Sequence, residues 1–313
     1  MPLSPEIRAI IDEASQKPLF NTMPIEEARA FIAKMSEGAG WSESLPELGK
    51  IYDRTVRGPA GDIPVRVYRP KGDGPFPLVV YFHGGGFALG DLNIDDAMCQ
   101  RYCHEAEAVV VSVDYRLAPE HKFPAAPEDC YAVTVWAMGD GAAELEIDPE
   151  RAVTAGMSAG GNLATVVPMM LRDRGEKQVK GQLLQVPVAD CPGDPETQSY
   201  QQFASGYMLP AEEMYWFWDM YTDKDTRQHP YAAPLRSDDL ANLPPAFVLT
   251  GECDVLRDEG EAYAAKLKQA GVEVQAIRYD GVDHFVCAFT AVSPISRRAV
   301  ADKIAWLKDI FAR

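Results

Sequence analysis

The chain has 313 residues, of which 47% are hydrophobic and 25% charged. These proportions suit one large globular domain or two small ones, and they exclude a disordered or fibrous chain. The net charge of −17 repels phosphate backbones and anionic lipid headgroups, so neither nucleic acid nor a membrane surface is an expected partner.

Residues 1–45 read as helical and precede any strand pattern. Met1 to Lys17 alternates charged and apolar residues and lacks the apolar centre of a signal peptide. No stretch approaches the roughly 20 apolar residues of a membrane span. The expected location is the cytoplasm. Strand patterns follow at 51–57, 63–68, 77–82, 109–114, 152–155, 182–188, 246–250 and 272–279. Several are unbroken apolar runs such as Leu78-Val79-Val80-Tyr81-Phe82, which suit strands buried on both faces of a parallel sheet. Helix patterns fall between them, near 95–107, 124–138, 159–173, 258–270 and 296–311. Such alternation implies crossover connections and an α/β fold. The segment 195–225, with Tyr215-Trp216-Phe217-Trp218, interrupts the alternation. With residues 1–45 it is expected to form a helical cap over a catalytic domain of residues 46–194 and 226–313. The aromatic cluster should pack the cap and line part of a pocket.

The six cysteines, Cys99, Cys103, Cys130, Cys191, Cys253 and Cys287, form no C-x-x-C pair, as expected of free thiols in a reducing compartment. Cys99, Cys103 and His104 are close enough on one helix to suggest a metal. No second ligand pair follows at a zinc-like spacing, so buried structural thiols are the preferred reading.

Gly156-Met157-Ser158-Ala159-Gly160 is a G-x-S-x-G pattern. Chance places this pattern in roughly one chain in ten of this length, so context decides. A strand comes directly before it. After it comes a helix with Leu163, Val166, Val167, Met170 and Leu171 on one face. On such a turn small flanking residues keep the strand and helix from colliding, and the hydroxyl is lifted to a helix N-terminus. Ser158 is therefore the candidate nucleophile; the bland alternative is a glycine turn capped by Ser158. Pro168 lies inside the following helix and should kink it or remove a hydrogen bond.

His83-Gly84-Gly85-Gly86 follows another strand. Gly84 and Gly85, with the N–H of Ala159, are the expected oxyanion donors. The glycine spacing does not fit a phosphate loop, since position 89 is Leu89. His83 reads as a structural histidine holding this loop. Of the five histidines, His229 and His284 follow the serine. His284 sits on a loop after the last strand and is the candidate base. The acid should end a strand between them. Asp254 is the choice, with Glu252 as main competitor; Asp258 and Glu259 are expected to cap the next helix. Phe87, Leu89, Met208, Trp216, Phe217 and Phe285 are candidates for an apolar pocket wall.

These segments resemble the hormone-sensitive-lipase-like esterases of the α/β-hydrolases over roughly residues 60–313. The resemblance is carried by His83-Gly84-Gly85-Gly86, Asp114-Tyr115-Arg116-Leu117-Ala118-Pro119-Glu120, Phe123-Pro124-Ala125-Ala126 and Asp254-Val255-Leu256-Arg257-Asp258-Glu259-Gly260. It implies an α/β-hydrolase fold with a mostly parallel eight-stranded sheet flanked by helices, and a helical cap. It implies hydrolysis of short-chain carboxylic esters by a serine carboxylesterase, no metal or organic cofactor, and in many members a homodimer. The sequence departs from the family pattern at Met157, where Asp or Thr is usual, at Val255 for Pro, and at Phe285 after the histidine. The expected reaction is hydrolysis of short- to medium-chain esters through an acyl-enzyme on Ser158. The alternatives are amide, lactone or thioester cleavage on the same fold, or a non-catalytic ligand-binding protein.

Overall fold

The computed structural model describes residues 3–14, 18–38, 43, 47–193 and 196–313. Parts of the expected cap, residues 1–2, 15–17, 39–42, 44–45 and 195, lie outside the described residues.

The strands are β1 (Lys50–Gly58), β2 (Gly61–Arg69), β3 (Phe76–Phe82), β4 (Val109–Val113), β5 (Ile147–Met157), β6 (Gly181–Gln185), β7 (Ala246–Gly251) and β8 (Val274–Tyr279). The helices are α1 (Pro5–Ala14), α2 (Ile25–Gly38), α3 (Asp96–Glu105), α4 (Ala125–Met138), α5 (Ala142–Leu145), α6 (Ala159–Arg174), α7 (Gln198–Phe203), α8 (Ala211–Tyr221), α9 (Arg257–Gln269) and α10 (Pro294–Ala312). Among the described residues the strands form one sheet of eight, in the order β1-β2-β4-β3-β5-β6-β7-β8. β2 pairs antiparallel with β1 and β4; from β4 to β8 every pairing is parallel. The fold is that of the α/β-hydrolases.

The apolar runs explain the layering. Side chains alternate across a strand, so Leu78, Val80 and Phe82 of β3 enter one hydrophobic layer and Val79 and Tyr81 the other. Helices α4 and α6 cover the first face, through residues such as Cys130, Val133, Leu163 and Val167. Helices α3 and α10 cover the second, through Cys99, Tyr102, Ile304 and Leu307. Cys99 and Cys103 are thus buried on the inner face of α3, while His104 is exposed on its outer side.

Two strands differ most from expectation. β6 ends at Gln185 rather than at 188, because Val186 turns with φ 41°. β5 starts earlier, at Ile147. Helix α6 runs through Pro168. The proline has no N–H for the carbonyl of Ala164; the hydroxyl of Thr154 on β5 donates to that carbonyl instead, at 2.7 Å. No helix among the described residues is long and apolar enough to cross a membrane.

Candidate active site

The site collects on the loops that leave the carboxyl ends of β3, β5, β7 and β8. Ser158 stands between β5 and α6 with φ 58° and ψ −117°, a conformation that strains any residue with a Cβ. The surrounding structure imposes it. The N–H of Ser158 donates to the carbonyl of Gln185 at 2.8 Å, and its carbonyl accepts from Asn162 and Val188. The flanking glycines allow close approach: a Cβ on Gly160 would lie 1.9 Å from the carbonyl oxygen of Phe82, and one on Gly156 2.2 Å from that of Gly160. Ser158 makes no capping hydrogen bond to α6, so its hydroxyl is not consumed locally.

Asp254 follows β7 and His284 follows β8. The Nδ1 of His284 lies 2.8 Å from Oδ2 of Asp254, and both side chains are buried. The other oxygen of Asp254 accepts the N–H of Leu256 at 3.0 Å, which fixes the carboxylate. Glu252 points elsewhere: its Oε2 accepts the N–H of Gly281 at 2.8 Å. His229 engages Tyr231 at 3.0 Å and packs beside Phe123. Asp283 is buried with its oxygens on the N–H groups of Phe285 and Met208; burial pushes its carboxyl up to about 6. Asp258 and Glu259 do not cap α9. Asp258 accepts from the N–H of Ser199 at 2.8 Å and Glu259 from that of Ala189 at 2.8 Å, tying Ala189 and Ser199 to α9.

The glycine loop is braced from beneath. His83 is fully buried, stacks on Tyr115 at 4.3 Å, and its carbonyl accepts from the Tyr115 hydroxyl at 2.9 Å. Arg116 holds the buried Asp129 with two nitrogens at 2.8 Å, anchoring the segment that carries Tyr115. Gly84 differs from expectation. Its N–H donates to Oδ2 of Asp95 at 3.2 Å, so that donor is engaged. The N–H groups of Gly85, Gly86 and Ala159 have no acceptor among the described residues.

Ser158, His284 and Gly84–Gly86 all open on one cavity of about 820 Å³. Its floor is this catalytic edge of the sheet. Its roof is built from α2, α8 and residues 18–20, including Phe20, Phe31, Met214 and Phe217. Of the expected wall residues, Leu89, Met208, Phe217 and Phe285 line it. Phe87 and Trp216 do not. Phe87, at φ 63°, turns into the core and stacks on Tyr221 at 3.7 Å. Trp216 is one helical step round α8 from Phe217 and packs against its edge outside the cavity. No sequence pattern points to Phe20 and Phe31, or to Glu213. Glu213 lines the cavity and is buried, and Oε1 of its carboxyl accepts the N–H of Phe20 at 2.8 Å. Burial, with the neighbouring Glu212 charge adding to it, pushes this carboxyl up to about 7.

A family model described as the alpha/beta hydrolase fold matches residues 79–288. The chain is 42% identical over 238 residues to a carboxylic ester hydrolase of Mycobacterium tuberculosis, covering 74% of this chain and 62% of that protein. It is 36% identical to an arylesterase of Saccharolobus solfataricus, over 99% of this chain and all (100%) of the other. Among solved structures, an esterase of Pyrobaculum calidifontis superposes with a TM-score of 0.92 at 42% identity, covering 99% of each chain.

Proposed function

This chain belongs to the α/β-hydrolase-fold carboxylic ester hydrolases, in the hormone-sensitive-lipase-like family, and on that premise we propose that it cleaves short- to medium-chain esters with Ser158, His284 and Asp254 as its triad. The observation that carries the proposal is the buried 2.8 Å contact between His284 and Asp254, facing the strained Ser158 across one cavity.

Asp254 holds Nδ1 of His284 protonated, leaving Nε2 to take the serine proton. Ser158 attacks the ester carbonyl. The oxyanion receives hydrogen bonds from the N–H groups of Gly85, Gly86 and Ala159, with Gly86 in place of the engaged Gly84. The alcohol leaves with a proton from His284, and a water deprotonated by the same ring then releases the acid. The substrate is a small-molecule ester held under a cap formed by residues 1–45 and 195–225. Hydrogen bonds from Phe20 and Asn21 to Glu213 and Glu212 support that grouping. None of the six cysteines is in a disulfide, which fits a reducing compartment such as the cytoplasm.

The test is hydrolysis of p-nitrophenyl esters of rising acyl length, compared with their anilide counterparts. A maximum at short or medium acyl length with little anilide turnover is expected. Faster cleavage of the anilides would move the assignment to an amidase.

A further inference from the structure

The cavity floor holds a polar pair that ester cleavage as described above leaves unused. Gln185 ends β6 and lines the cavity. Its carbonyl accepts the Ser158 N–H, so its side chain springs from the backbone that holds the serine. Oε1 of Gln185 accepts from Nζ of Lys303 at 2.6 Å. Lys303, on α10, is fully buried. Its other neighbours include the sulfur of Met98 at 3.4 Å, the face of Tyr102, 5.2 Å from the ring centroid, and the thiol of Cys287. These are acceptors and a ring face, the surroundings of an ammonium. No carboxylate pairs with it among the described residues. Burying an ammonium without a counter-charge opposes folding, and an apolar side chain of the same length would suit the core better.

An ammonium can only donate, so it dictates which end of the Gln185 amide faces it. The oxygen turns inward to Lys303 and the NH₂ turns outward. Nε2 of Gln185 has no partner among the described residues and is not sealed from the cavity. We propose that the Gln185 amide is a substrate-binding donor, oriented by Lys303, that selects esters with an oxygen acceptor close to the scissile carbonyl over their all-carbon isosteres. Alkoxyacetyl esters are the simplest members of that class. The proposal rests on Ser158 being the nucleophile. Its physical basis is the penalty of leaving oriented donors against a methylene, which a site built to donate cannot avoid.

The test compares p-nitrophenyl methoxyacetate with p-nitrophenyl butyrate, in which CH₂ replaces the ether oxygen. Their intrinsic reactivities differ, so the readout is the kcat/KM ratio of the two, divided by the wild-type ratio. Gln185→Met should lower it by roughly 5–10-fold. Lys303→Met, which frees the amide to flip, should lower it by about 2–5-fold, and the double variant should go no lower than Gln185→Met alone. Gln185→Glu keeps an acceptor for Lys303 but offers no donor, and it should lose the preference as well. That variant covers the case in which Gln185→Met fails to fold. A packing role would slow both esters alike and leave the ratio unchanged. A ratio within about twofold of wild type in the folded Gln185 variants overturns the proposal, and additive losses in the double variant overturn the orienting role of Lys303. Ser158→Ala is run in parallel. If it stays active, the nucleophile assignment falls; if it is inactive and the ratio is flat, only the Gln185 role falls.

Discussion

The floor and the roof of the cavity are built on different principles. The floor is backbone geometry set by the sheet: Ser158 at φ 58°, a glycine loop with Gly85, Gly86 and Phe87 all at positive φ, and Asp254 and His284 on loops leaving adjacent strands. The roof is an assembly of remote segments. Helix α8 meets residues 18–22 through Phe20 to Glu213 at 2.8 Å and Asn21 to Glu212 at 3.1 Å, with Phe20 edge-on to Phe31 at 6.0 Å. A floor held by a continuous hydrogen-bonded sheet keeps reacting groups at fixed positions. A roof held by a few polar ties and aromatic edges can vary in shape without disturbing them. Floor substitutions should therefore act on kcat, and roof substitutions on KM and on stability.

The largest effect expected is on the floor. Ser158→Ala should lower kcat by roughly 10⁴-fold or more with the fold intact, as read by ester hydrolysis and circular dichroism. Asp254→Asn should cost about 10³–10⁴-fold, because the amide would favour the wrong tautomer of His284. If Asp254→Asn cost less than Glu252→Gln, the acid would have to be reassigned.

Gly86 joins the two regions and sharpens the division. A Cβ there would lie 2.2 Å from the ring of Phe217, and the position has φ 59°. Gly86→Ala should displace both a proposed oxyanion donor and the roof, lowering kcat by about 10²-fold and raising KM together. Phe217→Leu touches the roof alone. It should raise KM several-fold for the longer acyl chains and leave kcat within about threefold, since a lost apolar contact is worth about 1–3 kcal/mol of binding.

The smallest effect is a pH dependence. The folded state raises the Glu213 carboxyl to about 7, above its unfolded value near 4.3. The native state thus binds the proton more tightly, and stability falls as pH rises from the unfolded value through about 7. Glu213→Gln keeps an acceptor for Phe20 without the charge. It should gain roughly 1–3 kcal/mol over wild type at pH 8 and nothing at pH 4, measured by urea unfolding. Equal differences at both pH values would contradict the placement of a buried carboxyl in the roof.

The same division governed what the sequence could reveal. Floor elements are local: a strand, a G-x-S-x-G turn, a helix, and a histidine after the last strand each leave a signature within a dozen residues. The two faces of β3 follow from alternation in five consecutive residues. What failed inside the floor was finer than spacing. Three adjacent glycines do not tell which N–H Asp95 takes. Phe87 departs from the expected pocket wall because a positive φ reverses the direction of its side chain. The roof was mostly illegible. Trp216 and Phe217 are neighbours in sequence, yet a turn of about 100° per residue puts only one in the cavity. Phe20 and Glu213 meet across 193 positions, and no periodicity encodes such a pairing.

The most direct test of the central assignment is covalent. The active protein is treated with a p-nitrophenyl alkylphosphonate, which traps an activated serine, and is then digested and analysed by mass spectrometry. One adduct per chain on Ser158, formed as esterase activity disappears and absent in His284→Ala, is the expected result. Loss of activity with the adduct on another residue, or with Ser158 unmodified, would contradict it.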